Sequence, residues 1–104
     1  MPILETVVCQ TMKGKEARFE RMVKARVELS NRQNGCIKSW YGISNSDEFL
    51  FLIQTAYHDL EQFHHVKKLV EETLDAKDGG LESCLSGPPL LGLFEIGDNA
   101  LDVA

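Results

Sequence analysis

The sequence predicts an α+β fold whose elements follow the order β-α-β-β-α-β. Two observations lead to this prediction. The spacing of hydrophobic residues changes from strand-like to helix-like and back, twice along the chain. Turn-forming residues, such as Asn34-Gly35 and Asp78-Gly79-Gly80, separate the periodic segments. A chain of 104 residues, 43% of them hydrophobic, can form one domain with its own core but not two. We therefore expect a single domain over residues 1–104, with its core within about 3–97.

The first half of the chain predicts one strand and one long helix. Residues 3–11, ILETVVCQT, are rich in β-favouring side chains and predict the strand. Residues 13–35 predict the helix, because apolar residues recur there at helical spacing. Its stripe consists of Phe19, Met22, Val23 and Val27. We expect Gly35 to end this helix in the left-handed conformation that glycine adopts easily.

The second half predicts a hairpin, a second helix and a last strand. Residues 36–45 and 49–57 alternate as two antiparallel strands around the turn SNSDE. Asp59 is placed to cap a helix that continues to about Lys77. The predicted buried stripe of that helix consists of Leu60, Phe63, Val66 or Lys67, and Val70. A short helical piece and a strand over 90–96 complete the chain.

The strands are apolar on both faces. Within residues 49–53, Phe49, Phe51 and Ile53 alternate with Leu50 and Leu52. Two helices can cover one face of a four-stranded sheet, and the chain has no further element for the other. Leaving that face in water would cost hydrophobic free energy and expose an aggregation-prone patch. This pattern predicts a second copy of the chain against it, most simply in a two-fold symmetric homodimer.

Charge and cysteine content narrow the function. The net charge is −5 and no basic cluster is longer than Lys67-Lys68, so we expect no nucleic-acid partner. The longest apolar run, residues 49–53, is far too short to span a membrane. The N-terminal segment lacks the basic region of a signal peptide, and the three cysteines form no Cys-x-x-Cys motif. We expect a cytoplasmic protein with free thiols.

Four segments together resemble a known family. They are VCQTMKGKEARFE (8–20), NGCI (34–37), FLFLIQTAYHDLEQFHH (49–65) and GPPLLGLFEI (87–96). The chain resembles the antibiotic biosynthesis monooxygenase (ABM) domains, whose ferredoxin-like subunits pair into a dimeric α/β barrel. The resemblance implies a homodimer that uses no cofactor. It also implies oxidation of a small aromatic substrate, a quinol or a phenolic, polyketide-like molecule, with O₂.

Two other functions remain open. The same fold could carry an isomerase or lyase that moves a proton on a small carbonyl compound through a histidine. It could also form a ligand-binding or stress-response dimer without catalysis. Fold alone does not decide among these functions.

The family commonly has a Trp where the third strand ends and a His about nine residues later. Here Ala56 or Tyr57 stands at the first position, which places the second on His65 or Val66 respectively. Both registers remain open. The heme-degrading branch of the family has an Asn on its first strand where this chain has Val7, which argues against heme breakdown.

All three histidines lie within residues 58–65. Because His64 and His65 point about 100° apart on a helix, they cannot both face one pocket. Glu61 and His64 have the Glu-x-x-His spacing of di-iron proteins, but such sites need a second copy and further carboxylates, so we expect no metal. His65 is the predicted catalytic proton acceptor, because an imidazole titrates near neutral pH. A solvated helix face is the competing interpretation.

Aromatic side chains suit the binding of an electron-rich ring. The predicted substrate-binding residues are Trp40, Phe51, Tyr57 and His64. Trp40 and its neighbour Tyr41 point to opposite faces of a strand, so only one of them can line a given cavity. Simple core packing is the competing interpretation for each aromatic residue.

Overall fold

The computed structural model describes residues 1–102, so the last two residues of the predicted domain lie outside the described range. The elements are β1 (Ile3–Gln10), α1 (Glu16–Asn31), β2 (Cys36–Ile43), β3 (Leu50–Tyr57), α2 (Leu60–Asp78), a short 3₁₀ helix (Leu81–Cys84) and β4 (Leu90–Glu95). The four strands form one antiparallel sheet in the order β2-β3-β1-β4. The predicted α+β, ferredoxin-like arrangement is confirmed.

Both helices pack on the same face of the sheet. Side chains on that face form two buried clusters, because successive residues of a strand point to opposite faces. In the first cluster the ring of Phe19 from α1 meets Phe51 of β3 edge-on, with the ring centroids 4.9 Å apart. In the second, Tyr57 of β3 packs against Phe63 of α2 in the same way, at 5.2 Å. These contacts hold both helices against β3, which precedes α2 and is separated from α1 by β2.

The end of α1 differs from the prediction. The helix ends at Asn31, and Gly35 is not among the glycines with positive φ, so a left-handed exit at Gly35 is wrong. The helix closes instead through the backbone N–H groups of Arg32 and Gln33, which donate to carbonyls three residues earlier. Gly35 is needed for space, because a Cβ there would lie 2.9 Å from the Cβ of Gln62.

The start of α2 confirms one prediction and corrects another. The Asp59 carboxylate accepts a hydrogen bond of 2.8 Å from the backbone N–H of Gln62, which is the predicted N-cap. Leu60 is 50% exposed, so its assignment to the buried stripe is wrong. The buried stripe begins three residues later, about one helical turn, and consists of Phe63, Val66 and Val70.

The other face of the sheet has no helix packed on it within residues 1–102. Strand alternation and register place a row of apolar side chains there. Its members are Leu4, Val8, Trp40, Leu50, Leu52, Leu90 and Phe94. Leu52 is 36% exposed and Phe94 53% exposed. We call this surface the open face. In the described part of the chain, neither helix is long and apolar enough to cross a bilayer.

Candidate functional site

A cavity of about 460 Å³ lies between the sheet and the two helices. It forms because the helices pack mainly over β2 and β3, while the helix side of β4 stays less covered. Leu91 and Leu93 of β4 are accordingly 62% and 47% exposed. Much of the wall is apolar, with Val7, Phe19, Val23, Ile53 and Val70 among the lining residues. The volume falls within the usual range for small-molecule sites.

One polar group of the cavity consists of Glu5, Tyr57 and Lys67, and all three line it. The hydroxyl of Tyr57 donates to Glu5 Oε1 at 3.2 Å. The ammonium group of Lys67 forms an ion pair with Glu5 Oε2. The Glu5 side chain is only 12% exposed, so this carboxylate is held by its two donors rather than by bulk water.

The sheet register and the phase of α2 bring these three residues together. Glu5 pairs with Thr55 and Ile3 pairs with Tyr57, which makes Glu5 and Tyr57 diagonal neighbours on the helix side of the sheet. Lys67 follows the buried Val66 on α2 and points along the edge of the buried stripe. Burial, and then the negative charge of Glu5, raise the pKa of Tyr57 above its ordinary value. Tyr57 therefore remains a neutral hydrogen-bond donor.

A second polar group closes the cavity near the end of α2. The guanidinium of Arg26 bonds Asp75 at 2.6 Å and both oxygens of Asp78, at 2.7 and 2.9 Å. It also donates to the carbonyl of Met22 in its own helix. The hydrogen bonds from Arg26 hold the pKa of the Asp78 carboxyl below its ordinary value. This arrangement ties the C-terminal turn of α2 to the middle of α1.

The five predicted site residues do not meet in this cavity. Tyr57 lines it. Phe51 is 1% exposed and packs under α1, and Trp40 lies on the open face, where its indole N–H donates to Gln54 at 3.0 Å. His64 and His65 are exposed on α2, and the cavity lining as described includes neither. The ring of His64 packs beside Phe63, with centroids 5.0 Å apart. The roles given to these residues stay predictions.

The sequence left open which residues match the Trp and His positions of the family: Ala56 and His65, or Tyr57 and Val66. Tyr57 points into the cavity, whereas Ala56 points to the opposite side of the sheet. Val66 is 1% exposed and lies in the same buried cluster as Tyr57, while His65 is exposed. The pair Tyr57 and Val66 therefore places both side chains inside the subunit.

Sequence reasoning missed Glu5 and Lys67. A signal for Glu5 existed, because it is the one charged residue among the inward positions Ile3, Val7 and Cys9 of the first strand. Lys67 stood as an alternative to Val66 in the predicted stripe. Their contact could not be foreseen, since they are 62 positions apart and meet only when the helix packs on the sheet. Among residues 1–102, no three His, Cys, Asp or Glu side chains are grouped to hold a metal ion.

Comparison with known proteins finds solved structures that share the fold. No family model and no curated protein sequence matches the chain. A protein from Mycobacterium tuberculosis has a TM-score of 0.81 at 12% identity, with 96% of this chain and 99% of that chain covered. SnoaB from Streptomyces nogalater, a cofactor-independent oxygenase, has a TM-score of 0.78 at 14% identity, with coverage of 97% and 98%.

A provisionally named antibiotic biosynthesis monooxygenase from Deinococcus radiodurans is also similar, with a TM-score of 0.77 at 16% identity and 98% of each chain covered. At such identities the similarity establishes a shared fold. The resemblance to ABM domains predicted from the sequence is thus confirmed at the level of the fold.

Proposed function

We propose that the chain is a cofactor-independent monooxygenase that oxidises a quinol or a phenolic, polyketide-like molecule with O₂. The observation that supports it most is the cavity between sheet and helices, which combines apolar walls with hydrogen-bonding groups on one side. That combination binds a ring and directs its hydroxyl group toward a fixed position. The fold shared with SnoaB, a cofactor-independent oxygenase, adds support.

The proposed oxidation requires few functional groups from the protein. Once an electron-rich phenol loses its proton, its anion can donate an electron to O₂ without a bound metal or flavin. The protein then has to orient the ring, accept a proton and keep water away. Tyr57 is the predicted substrate-binding residue that lines the cavity, and because its own proton is donated to Glu5, its hydroxyl oxygen is a suitable acceptor for a substrate hydroxyl.

The homodimer predicted from the sequence is part of this proposal. The open face carries exposed leucines and phenylalanine that a second copy of the chain would cover. Trp40 lies on this face, so in such a dimer it would be buried between subunits rather than in the cavity described above. The cytoplasmic location stays a prediction.

Oxygen consumption tests the proposed function. We expect O₂ uptake with at least one member of a panel of quinols and naphthols, and a loss of about tenfold or more in Tyr57→Phe, because a hydroxyl that hydrogen-bonds to the substrate and to Glu5 is removed. Tyr41→Phe is the matched control, since the Tyr41 hydroxyl makes a similar hydrogen bond, 2.6 Å to Glu20, outside the cavity lining. His65→Ala tests the catalytic role predicted for that imidazole.

Absence of O₂ uptake with every substrate would contradict the proposed oxygenase function.

A second function is favoured by one specific feature, the carboxylate of Glu5 beside the hydroxyl of Tyr57 and the ammonium of Lys67. Such a set can also move a proton on a carbonyl compound, as an isomerase or lyase does. Conversion of a substrate without O₂ would select that function, and binding without turnover would select a ligand-binding dimer.

A further inference from the structure

Glu5 is an unusual residue for its place in the fold. It is the third of eight residues in β1, on the side that faces the helices, and its side chain is 12% exposed. Ile3 and Cys9, on the same side of this strand, are buried and apolar or weakly polar. A carboxylate at such a place costs free energy unless donors compensate it. Tyr57 and Lys67 provide two such donors.

The two donors leave part of the carboxylate available to a ligand. An ionised carboxylate has about four acceptor positions, and Tyr57 and Lys67 occupy one on each oxygen. Because Glu5 lines the cavity, a hydroxyl group of a bound molecule can reach a remaining position. Lys67 also lies 3.8 Å from Glu71, so its ammonium is placed between two carboxylates at the cavity wall.

The charge of the lining opposes anions. Among the described residues 1–102, four carboxylates line the cavity, those of Glu5, Glu71, Asp75 and Glu82, together with two cations, Arg26 and Lys67. Arg26 is bonded to Asp75 and Asp78, and Lys67 to Glu5. An anionic ligand would therefore meet cations that already have counter-ions, while a neutral hydroxyl would meet an acceptor.

We propose that Glu5 accepts the proton of a ligand hydroxyl, and that its pairing with Lys67 makes the cavity select a neutral, hydroxyl-bearing ring over an anionic one. In the step, the ligand O–H bond breaks and an O–H bond forms on a Glu5 oxygen. The electron pair stays on the ligand oxygen, where the Lys67 ammonium stabilises it. The choice of a ring as ligand rests on the proposed function, but binding selectivity can be measured without O₂.

A pair of probes that share one ring tests the selectivity at a single pH. We expect wild-type protein at pH 7.5 to bind 2-naphthol at least about tenfold more tightly than 2-naphthoate, since one neighbouring charge is worth about one pK unit. Glu5→Gln keeps the size of the side chain and removes its charge, so the Lys67 ammonium gains a site for the carboxylate of the ligand. Titration calorimetry should then show the preference reversed toward 2-naphthoate.

Two further variants complete the test. Lys67→Met leaves Glu5 without its cation and should strengthen the discrimination against 2-naphthoate, which checks the proposal even if Glu5→Gln does not fold. Lys68→Met is the control, because Lys68 is exposed on the same helix and pairs with Glu72 at 4.0 Å. Lys68→Met should show the same preference for 2-naphthol over 2-naphthoate as the wild type.

The proposal is overturned if wild-type protein binds both probes equally, binds neither, or keeps its preference in a folded Glu5→Gln variant. The proposed oxygenase function can be wrong while the role of Glu5 is right, and the reverse. Selectivity for 2-naphthol without O₂ uptake would contradict the oxygenase function and support the role of Glu5. O₂ uptake that is unchanged in Glu5→Gln would contradict the role of Glu5 and support the oxygenase function.

Discussion

At the scale of single residues, Arg26 shows how a buried charge organises the subunit. It occupies a position on the buried side of α1, between Val23 and Ser30, where the apolar stripe alone would place a hydrophobic residue. Its side chain is 11% exposed and reaches across to two carboxylates at the end of α2. A buried guanidinium is tolerated because each of these carboxylates and a backbone carbonyl accept its hydrogen bonds.

Replacing Arg26 with Met should lower the free energy of unfolding by about 2 kcal/mol at pH 7, because Asp78 would stay partly buried without its cation. The effect should depend on pH. Since Arg26 depresses the pKa of Asp78 below its ordinary 3.8, the stabilisation is present above that value and disappears as the pH falls further. Urea unfolding of wild type and Arg26→Met at pH 7 and pH 3 measures both the loss of stability and its dependence on pH.

The control for this prediction is Lys24→Met on the exposed side of the same helix, where Lys24 is 56% exposed and pairs with Glu20. We expect a change within about 0.5 kcal/mol for this exposed pair. An equal loss of stability in the two variants, or the same pH dependence in Arg26→Met and wild type, would contradict the role assigned to the Arg26 cluster.

At the scale of elements, most of the fold could be predicted because strands and helices depend on local pattern. The hairpin of β2 and β3 and the cap at Asp59 follow from short-range sequence signals. Helix ends were less predictable: Gly35 suggested a left-handed exit, but the space required by Gln62 explains the glycine. That requirement arises only when α2 packs against the loop.

The candidate site was predictable only in part for the same reason. Tyr57 ends a strand, and its inward direction follows from alternation along the chain. Glu5 and Lys67 meet only when α2 packs on the sheet and the Lys67 side chain reaches β1, which no local pattern contains. The histidines were the more conspicuous residues in the sequence, yet His65 lies on the exposed side of the helix that brings in Lys67.

The cap of α2 gives a prediction at this scale. Asp59→Ala removes the acceptor for the backbone N–H of Gln62 and should reduce the free energy of unfolding by about 1 kcal/mol. Asp59→Ser is the matched variant, because a serine hydroxyl can accept the same hydrogen bond. In chemical denaturation, Asp59→Ser should be about as stable as the wild type, and Asp59→Ala should be the least stable of the three. Equal stability of the alanine and serine variants would contradict the capping role.

At the scale of the whole molecule, the unequal covering of the sheet is the dominant feature. One face carries two helices and the cavity, and the other presents leucine, valine and aromatic side chains. Leu52 lies near the centre of this open face, since it pairs with Val8 of β1 on one side and Gly42 of β2 on the other. A stable interface between two copies would bury about 800 Å² on each. We expect Leu52 to be near its middle.

Leu52→Glu should therefore separate the proposed dimer, because it would place a carboxylate without a partner between two apolar surfaces. Leu69→Glu is a close control: Leu69 is 37% exposed on α2, compared with 36% for Leu52, but it does not lie on the open face. Sedimentation at micromolar concentration should give twice the 11.7 kDa chain mass for the wild type and Leu69→Glu, and the single mass for Leu52→Glu. A monomeric wild type, or a dimer that both variants preserve, would mean that the open face is not where two copies meet.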